Sequence, residues 1–217
     1  MDNNHCWHSL PESVKARILD EHRYWGVDHH NWWESTYEFF REDMANIGIR
    51  VDEMYFSGFW NQGDGACFEG RVKDWGLFLK SLGYNDDLLI EHFKEVASFS
   101  VTHSGHYYHE NCTSFSMEWT LPTDPYTGEE HFLESYGCGE ELRDAVLIAQ
   151  LSQYDSNKLE AEFTEAFKDH MRDLYRRLEE EYDYLTSDEV VLESLYVNDQ
   201  LDDLIAEHTE ELEYEDE

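Results

Sequence analysis

The chain has 217 residues, of which 41% are hydrophobic and 15% aromatic, and its 50 acids against 15 lysines and arginines give a formal net charge of −35. This length and hydrophobic content are sufficient for a folded core and exclude a disordered acidic polymer. Because the charge repels nucleic acids and anionic membranes, we expect no direct binding to either and favour a basic protein partner.

The N-terminal sequence and the cysteines bear on the compartment. Residues 1–6 lack the basic and apolar regions of a signal peptide, and the chain has no apolar run long enough to span a membrane. Cys6, Cys67, Cys112 and Cys138 form no Cys-x-x-Cys pair, so we interpret them as reduced thiols. These features predict a cytoplasmic protein.

Two helices are predicted before the first strand. Ser9 and Glu12 have the spacing of a capping box, so the first helix is expected over residues 10–25. The second helix is expected to be capped by Asp28 and to end at Gly48. Its apolar residues recur every three or four positions, as on one face of a helix: Trp33, Tyr37, Phe40, Met44 and Ile47.

A first β-hairpin is predicted within residues 49–70. Ile49 and Val51 alternate with polar residues, which is typical of a strand, and a return strand is expected near residues 66–70. The dipeptide Asp64-Gly65 is typical of a tight turn between two such strands.

Two short helices and a second hairpin follow, with Asn85 as the predicted cap of the second helix. The hairpin is expected over residues 99–119. We predict a three-residue loop, 110–112, because it pairs Tyr107 with Phe115 and keeps the apolar side chains on one face.

The C-terminal third has the clearest helical pattern. A helix is predicted over residues 140–151 and a longer one from Asn157, followed by helices that begin at a second capping box, Thr186 and Glu189. Residues 210–217 are expected to be frayed. The long helix has these apolar positions: Leu159, Phe163, Phe167, Met171, Leu174, Leu178, Tyr182 and Leu185.

Together these elements predict an α+β fold, in which a small antiparallel sheet of two hairpins packs with helices and an acidic helical segment ends the chain. We expect an α+β domain over residues 1–155. The acidic helical segment, residues 156–217, is expected to pack on that domain as one globular unit.

The last forty residues, 178–217, carry the strongest functional signal, since they contain seventeen acids and no lysine or arginine. If wholly helical, they would carry roughly one charge per 3.5 Å, close to the ~3.4 Å phosphate spacing of one DNA strand. They also forgo the ion pairs that helices gain at four-residue spacing. The alternatives are a solvated helix face and adaptation to high salt. The predicted partner-binding acids are Glu179, Glu180, Glu181, Asp183, Asp188, Glu189, Asp199, Asp202, Asp203 and Glu207.

A second unusual segment, residues 55–70, is rich in glycine and large aromatic side chains. Trp60, Gln62 and Asp64 are candidates for an exposed functional loop, although turn chemistry is the simpler explanation for a glycine-rich segment. Cys67 is expected to be a buried structural thiol and not a nucleophile.

Within this segment, the block FSGFW-N-QGDGA resembles one in uncharacterised proteins encoded by tailed bacteriophages, some of which are labelled antitoxin-like. The resemblance is confined to this segment and implies no activity and no catalytic residues. It implies a phage protein that acts inside a bacterial cell, where acidic phage proteins that mimic DNA and block host defence are a known theme.

Neither a metal site nor a catalytic site is predicted. His103, His106 and His109 with Cys112 raise a zinc hypothesis, but on the predicted strand His103 and His106 point to opposite faces. With 50 acids, carboxylate pairs occur by chance throughout the chain, so their spacing predicts no acid–base dyad. We therefore expect no catalytic residues, no metal and no cofactor.

These observations predict a non-enzymatic phage inhibitor or interaction protein, which mimics DNA and blocks a basic nucleic-acid-binding host protein. One alternative is an antitoxin or phage accessory protein that binds a protein partner through aromatic contacts. Another is an enzyme or ligand-binding protein with its site within residues 60–69. The sequence does not indicate the oligomeric state.

Overall fold

A computed structural model of the chain describes residues 4–28, 31–119, 151 and 153–215, and its fold is α+β, as predicted. The helices are α1 Asn4–Ser9, α2 Glu12–His22, α3 Trp25–Asp28, α4 Glu34–Asn46, α5 Trp75–Ser81, α6 Asp87–Val96, α7 Ser156–Leu185, α8 Asp188–Val197 and α9 Leu201–Glu215. The strands are β1 Ile49–Ser57, β2 Gly65–Val72, β3 Ser98–His103 and β4 Thr113–Glu118. In the described part of the chain, no helix is both long enough and apolar enough to span a bilayer.

The chain forms two compact units. The terminal unit comprises residues 1–36 and 177–217, and the sheet unit comprises residues 37–176. These bounds differ from the expected division after residue 155, because α7 contributes its first part to the sheet unit and its last part to the terminal unit. The expectation that residues 1–155 form a domain of their own stays a prediction.

The sheet unit is built on a four-stranded antiparallel sheet in the order β1-β2-β3-β4. The first predicted hairpin is confirmed as β1 and β2. Its connection is the loop of residues 58–64, and not a tight Asp64-Gly65 turn, since Gly65 already pairs with Ser57 as the first residue of β2.

The second hairpin is confirmed, but its predicted register is wrong. Val101, and not Tyr107, pairs with Phe115, and the connection is the long segment 104–112, which ends in the 3₁₀ helix Glu110–Cys112. The predicted and observed partners of Phe115 are separated by an even number of residues, so the predicted face stays correct. Burial therefore identified the inward side chains but not the length of the loop.

The predicted first helix is interrupted. α1 ends at Ser9, and α2 starts at Glu12 with Pro11 as its N-cap and no side-chain capping bond, so the Ser9 capping box is wrong. The break follows from proline, because the residue before it, Leu10, is disfavoured in the helical conformation.

Two other caps lie one residue from their predicted positions. Asp86, and not Asn85, caps α6 by accepting hydrogen bonds from the backbone N of Leu88 at 3.0 Å and of Leu89 at 3.3 Å. Ser187 caps α8. Thr186 Oγ1 instead donates to the carbonyl of the preceding turn. In each case two neighbouring residues could cap the helix, and the one directly before its first residue does so.

The core of the sheet unit forms where α7 packs on the sheet. The Phe167 ring lies 5.6 Å from Phe68, 5.8 Å from Phe78 and 5.0 Å from Phe99, measured between ring centroids. All four side chains are buried. The predicted apolar stripe of α7 is confirmed through Leu178, and its last two members, Tyr182 and Leu185, are half-buried.

The terminal unit has a separate core, formed by α1, α2, α8 and α9. Its buried side chains are Trp7, Val14, Ile18, Leu19, Val191, Leu195 and Leu201. The acidic C-terminal segment is therefore folded, with one apolar face buried, and α9 remains helical to Glu215 where a frayed end was expected. The helix predicted over residues 140–151 lies outside the described residues, apart from the buried Leu151.

Candidate functional site

The ten predicted partner-binding acids all lie in the terminal unit, on the last turns of α7, on α8, in the α8–α9 connection and on α9. We call these ten residues the acidic surface. Glu179 and Glu181 are half-buried, and the other eight are exposed. Two of these helices, α8 and α9, share the buried core of the terminal unit, and α7 buries Leu178 beside its acids, so the carboxylates are carried by folded helices.

Five members of the acidic surface have structural roles of their own. Asp188 and Glu189 lie in the first turn of α8, and Asp202 and Asp203 lie in the first turn of α9. Acids at these positions interact favourably with the positive end of the helix dipole. Asp199 connects the two helices with a φ of 56°, a left-handed conformation that aspartate tolerates better than most residues. These charges are explained by the fold without a partner.

Asp188 has a further structural role, because its carboxylate lies 2.8 Å from the guanidinium of Arg23 on the segment after α2. The same guanidinium contacts Asp20 at 2.7 Å and donates to the carbonyl of Thr186 at 2.9 Å. The hydrogen bonds that Arg23 donates to the carboxylates of Asp20 and Asp188 raise its pKa. This cation links two segments of the terminal unit, so Asp188 is the member least suited to a partner.

The acids on the last turns of α7 are not stabilised by the helix dipole in this way. Glu179, Glu181 and Asp183 lie near the negative end of the helix dipole, and the last turn of α7 holds no basic residue. Glu179 and Asp183 are four residues apart, so they share a helix face and repel each other. The helix dipole therefore does not explain these charges, which makes them the strongest candidates for partner binding. The sequence alone treats all ten acids alike, because this distinction requires the helix ends.

The predicted loop site lies at one end of the sheet, on the connection between β1 and β2. Trp60 is 68% exposed and has a φ of 70°, which is a rare conformation for a large side chain. Its ring rests on buried Phe59, at a centroid distance of 5.6 Å. Gln62 is exposed, whereas Asp64 is a turn residue whose carboxylate accepts the backbone N–H of Asn61 at 2.8 Å.

The segment 104–112 lies against this loop and adds aromatic residues that the sequence analysis did not select. The ring of Tyr107 lies so close to Gly63 that a Cβ there would be 3.3 Å from it. Tyr108 stacks on Tyr55 at 5.2 Å with an interplanar angle of 13°. Exposed aromatic residues from two loops therefore gather at one end of the sheet, and only the pairing of the strands reveals this.

The histidines of the zinc hypothesis are part of this aromatic region. His103 packs on Tyr108 at 5.2 Å, and His109 Nδ1 accepts the backbone N–H of Asn111 at 3.1 Å. Within the residues that the structure describes, no three His, Cys, Asp or Glu side chains form a group suited to a metal ion.

Cys67 is fully buried in the sheet unit, as predicted for a structural thiol. Burial raises the pKa of its thiol to about 12, with a smaller contribution from Cys112. Because only the thiolate reacts with iodoacetamide, we expect Cys67 in the folded protein to be alkylated at pH 8 at least tenfold more slowly than in urea. Peptide mapping by mass spectrometry measures both rates. Half-buried Cys112 is the internal comparison, and an equally fast Cys67 in the folded protein would contradict its burial.

The chain belongs to the family described as a domain of unknown function, DUF8835, whose family model matches residues 32–188. The matched range contains all four strands, the Trp60 loop and the acids from Glu179 to Asp188, and it ends before α9. A search of curated proteins and a search of solved structures each gave no match.

Proposed function

We propose that this protein is a non-enzymatic interaction protein that presents its acidic surface to a basic, nucleic-acid-binding partner as a mimic of DNA. The observation that carries the proposal is the group of carboxylates at the end of α7, Glu179, Glu181 and Asp183, which lie at the unfavourable end of the helix dipole. Carboxylates that the helix dipole does not stabilise are available to interact with a basic partner.

The distribution of charge favours the terminal unit as the binding surface. It has 23 acids against 4 lysines and arginines, whereas the sheet unit, nearly twice as long, has 27 against 11. Such a field accelerates association with a positively charged partner and weakens as salt is added. The resemblance of residues 56–66 to phage proteins further suggests that the partner is a host defence protein.

The test uses a variant in which four acids become amides, Glu179→Gln, Glu181→Gln, Asp183→Asn and Glu207→Gln. We expect this variant to lose at least tenfold in affinity for the partner, because each lost charge removes a contact that a DNA phosphate would make. Its fold should be kept, since the substitutions relieve repulsion in α7. The matched control neutralises four exposed acids of the sheet unit, Glu91, Glu95, Glu118 and Glu160, and changes the net charge equally.

The measurement has two stages. Proteins captured from a bacterial lysate by the wild-type chain are eluted with duplex DNA, and each DNA-eluted protein is then purified and titrated with both variants. Loss of binding for the acidic-surface variant alone supports mimicry. If both variants lost affinity equally, binding would depend on net charge and not on the acidic surface. If duplex DNA failed to elute the captured proteins, mimicry of DNA would be contradicted.

Trp60 favours a second candidate function, an antitoxin or accessory protein that binds its partner through aromatic contacts. Exposed tryptophans often dominate the energy of protein interfaces, and a left-handed φ at such a residue costs ~1–2 kcal/mol that the fold must supply. In the same capture experiment this candidate predicts a complex that resists high salt and DNA and is lost on Trp60→Ala.

A further inference from the structure

A groove of about 320 Å³ lies in the sheet unit, lined by residues of α4, by the first residues of β1 and by the segment after β2. Three exposed basic side chains line it, Arg41, Arg50 and Lys73, together with exposed Ala45 and the buried residues Ile49 and Val51. We call it the cationic groove. In a chain with a net charge of −35, three cations around one groove are a local reversal of the general pattern.

The acids nearest the groove leave most of this positive charge available. Asp52 lies 2.7 Å from Arg50 and 3.8 Å from Arg71, so one carboxylate is shared by two guanidinium groups. Within the described part of the chain, Arg41 and Lys73 form no ion pair. These two cations are therefore available to a ligand.

The acid that lines the groove itself, Asp74, has a different role. Its Oδ1 accepts the backbone N–H of Leu77 at 3.0 Å and so caps the N-terminus of α5. A capping carboxylate is stabilised by the peptide groups of its helix, and its charge is partly neutralised by them. The groove therefore keeps an excess of positive charge.

The backbone beneath the groove is held in one arrangement. The carbonyl of Gly48 accepts the backbone N–H of Lys73 at 2.8 Å and that of Asp74 at 3.0 Å. Gly48 has a φ of 82°, and a Cβ on it would lie 2.2 Å from the carbonyl oxygen of Asp74. This contact fixes the segment carrying Lys73 against the start of β1, which carries Arg50, so the backbone that carries these two cations is in place before any ligand binds.

We propose that the cationic groove binds a small organic anion, a phosphate group on a planar body of the nucleoside monophosphate class. Guanidinium and ammonium groups are the usual partners of phosphate, and exposed Ala45 with the aliphatic stems of Arg41 and Lys73 offers an apolar surface for the body of the ligand. The volume lies at the lower end of the ~300–1,000 Å³ typical of ligand pockets. The acids elsewhere oppose binding only weakly, because physiological salt screens charges beyond ~8 Å.

The test is isothermal titration of the full chain with adenosine 5′-monophosphate, inorganic phosphate, adenosine and benzoate in turn. We expect the monophosphate to bind at one site per chain, at least tenfold more tightly than any of the other three. Tight binding of adenosine would show that the cations are not used. Equal binding of inorganic phosphate would show that the apolar surface is not used, and equal binding of benzoate would overturn the preference for phosphate.

Variants locate the site. Arg41→Ala and Lys73→Ala are each expected to weaken monophosphate binding at least tenfold. The control, Lys80→Ala, removes an exposed lysine of α5 that does not line the groove and should leave binding unchanged. Circular dichroism confirms that each variant is folded. Unchanged binding in both groove variants, or no saturable binding by the wild type, would overturn the proposal, and neither result bears on the acidic surface.

Discussion

Phe167→Ala is expected to lower the free energy of unfolding by about 3–5 kcal/mol, the usual cost of removing a buried phenylalanine ring. Phe167 has 0% exposure, and its ring contacts rings from β2, α5 and β3. The neighbouring rings cannot move to fill the resulting cavity, because Phe78 and Phe99 are themselves packed against Phe163. Urea denaturation followed by far-ultraviolet circular dichroism measures the change.

The matched control is Phe39→Ala, which makes the same substitution on helix α4 at a side chain with 66% exposure. Alanine is a better helix former than phenylalanine, so both variants gain the same few tenths of a kcal/mol from propensity. The difference between them isolates the burial of Phe167. If the two variants unfolded at the same urea concentration, α7 would not pack on the sheet as the structure has it.

The sequence was most informative where one pattern persists over many turns. The stripe of α7 includes Phe163, Phe167 and Leu174, and every predicted position through Leu178 is buried. A thirty-residue helix repeats its spacing often enough that single exceptions do not obscure it. The inward faces of the strands were also predicted correctly. Side chains alternate between the two faces of a strand, so a register error of an even number of residues leaves the same side chains facing inward.

Local signals failed where two neighbouring residues could serve equally well. Asn85 and Asp86 are both good caps, as are Thr186 and Ser187, and the choice depends on how the following helix packs. The length of segment 104–112 was not predictable either. It is determined by contacts with the β1–β2 loop, such as that of Tyr107 with Gly63, which are far apart in sequence.

The two candidate sites differ in how much of each the sequence could predict. The acidic surface was visible as composition, but the fold was needed to separate acids that cap or begin helices from those that oppose the dipole of α7. The cationic groove left no signal in the sequence, since Arg41, Arg50 and Lys73 are separated by helix ends and a whole hairpin. The pairing of β1 with β2 and the close approach of the backbone at Gly48 to Asp74 bring Arg50 and Lys73 together.

That close approach can be tested with Gly48→Ala, which we expect to lower the free energy of unfolding by about 2–5 kcal/mol. An L-residue in the left-handed region costs ~1–2 kcal/mol, and forcing a methyl group into a packed site costs ~1–3 kcal/mol more. The methyl group would meet the backbone oxygen of Asp74, which cannot rotate away as a side chain could. Urea denaturation again measures the change.

Gly83→Ala separates the two contributions. Gly83 also has a positive φ, 89°, but a Cβ there has nothing within 4 Å. This variant should therefore show only the conformational cost, ~1–2 kcal/mol, and the excess in Gly48→Ala measures the collision with Asp74. Equal losses in the two variants would mean that the segment after β2 moves aside at little cost. In that case the close approach at Gly48 would not be what holds the cations of the groove in place.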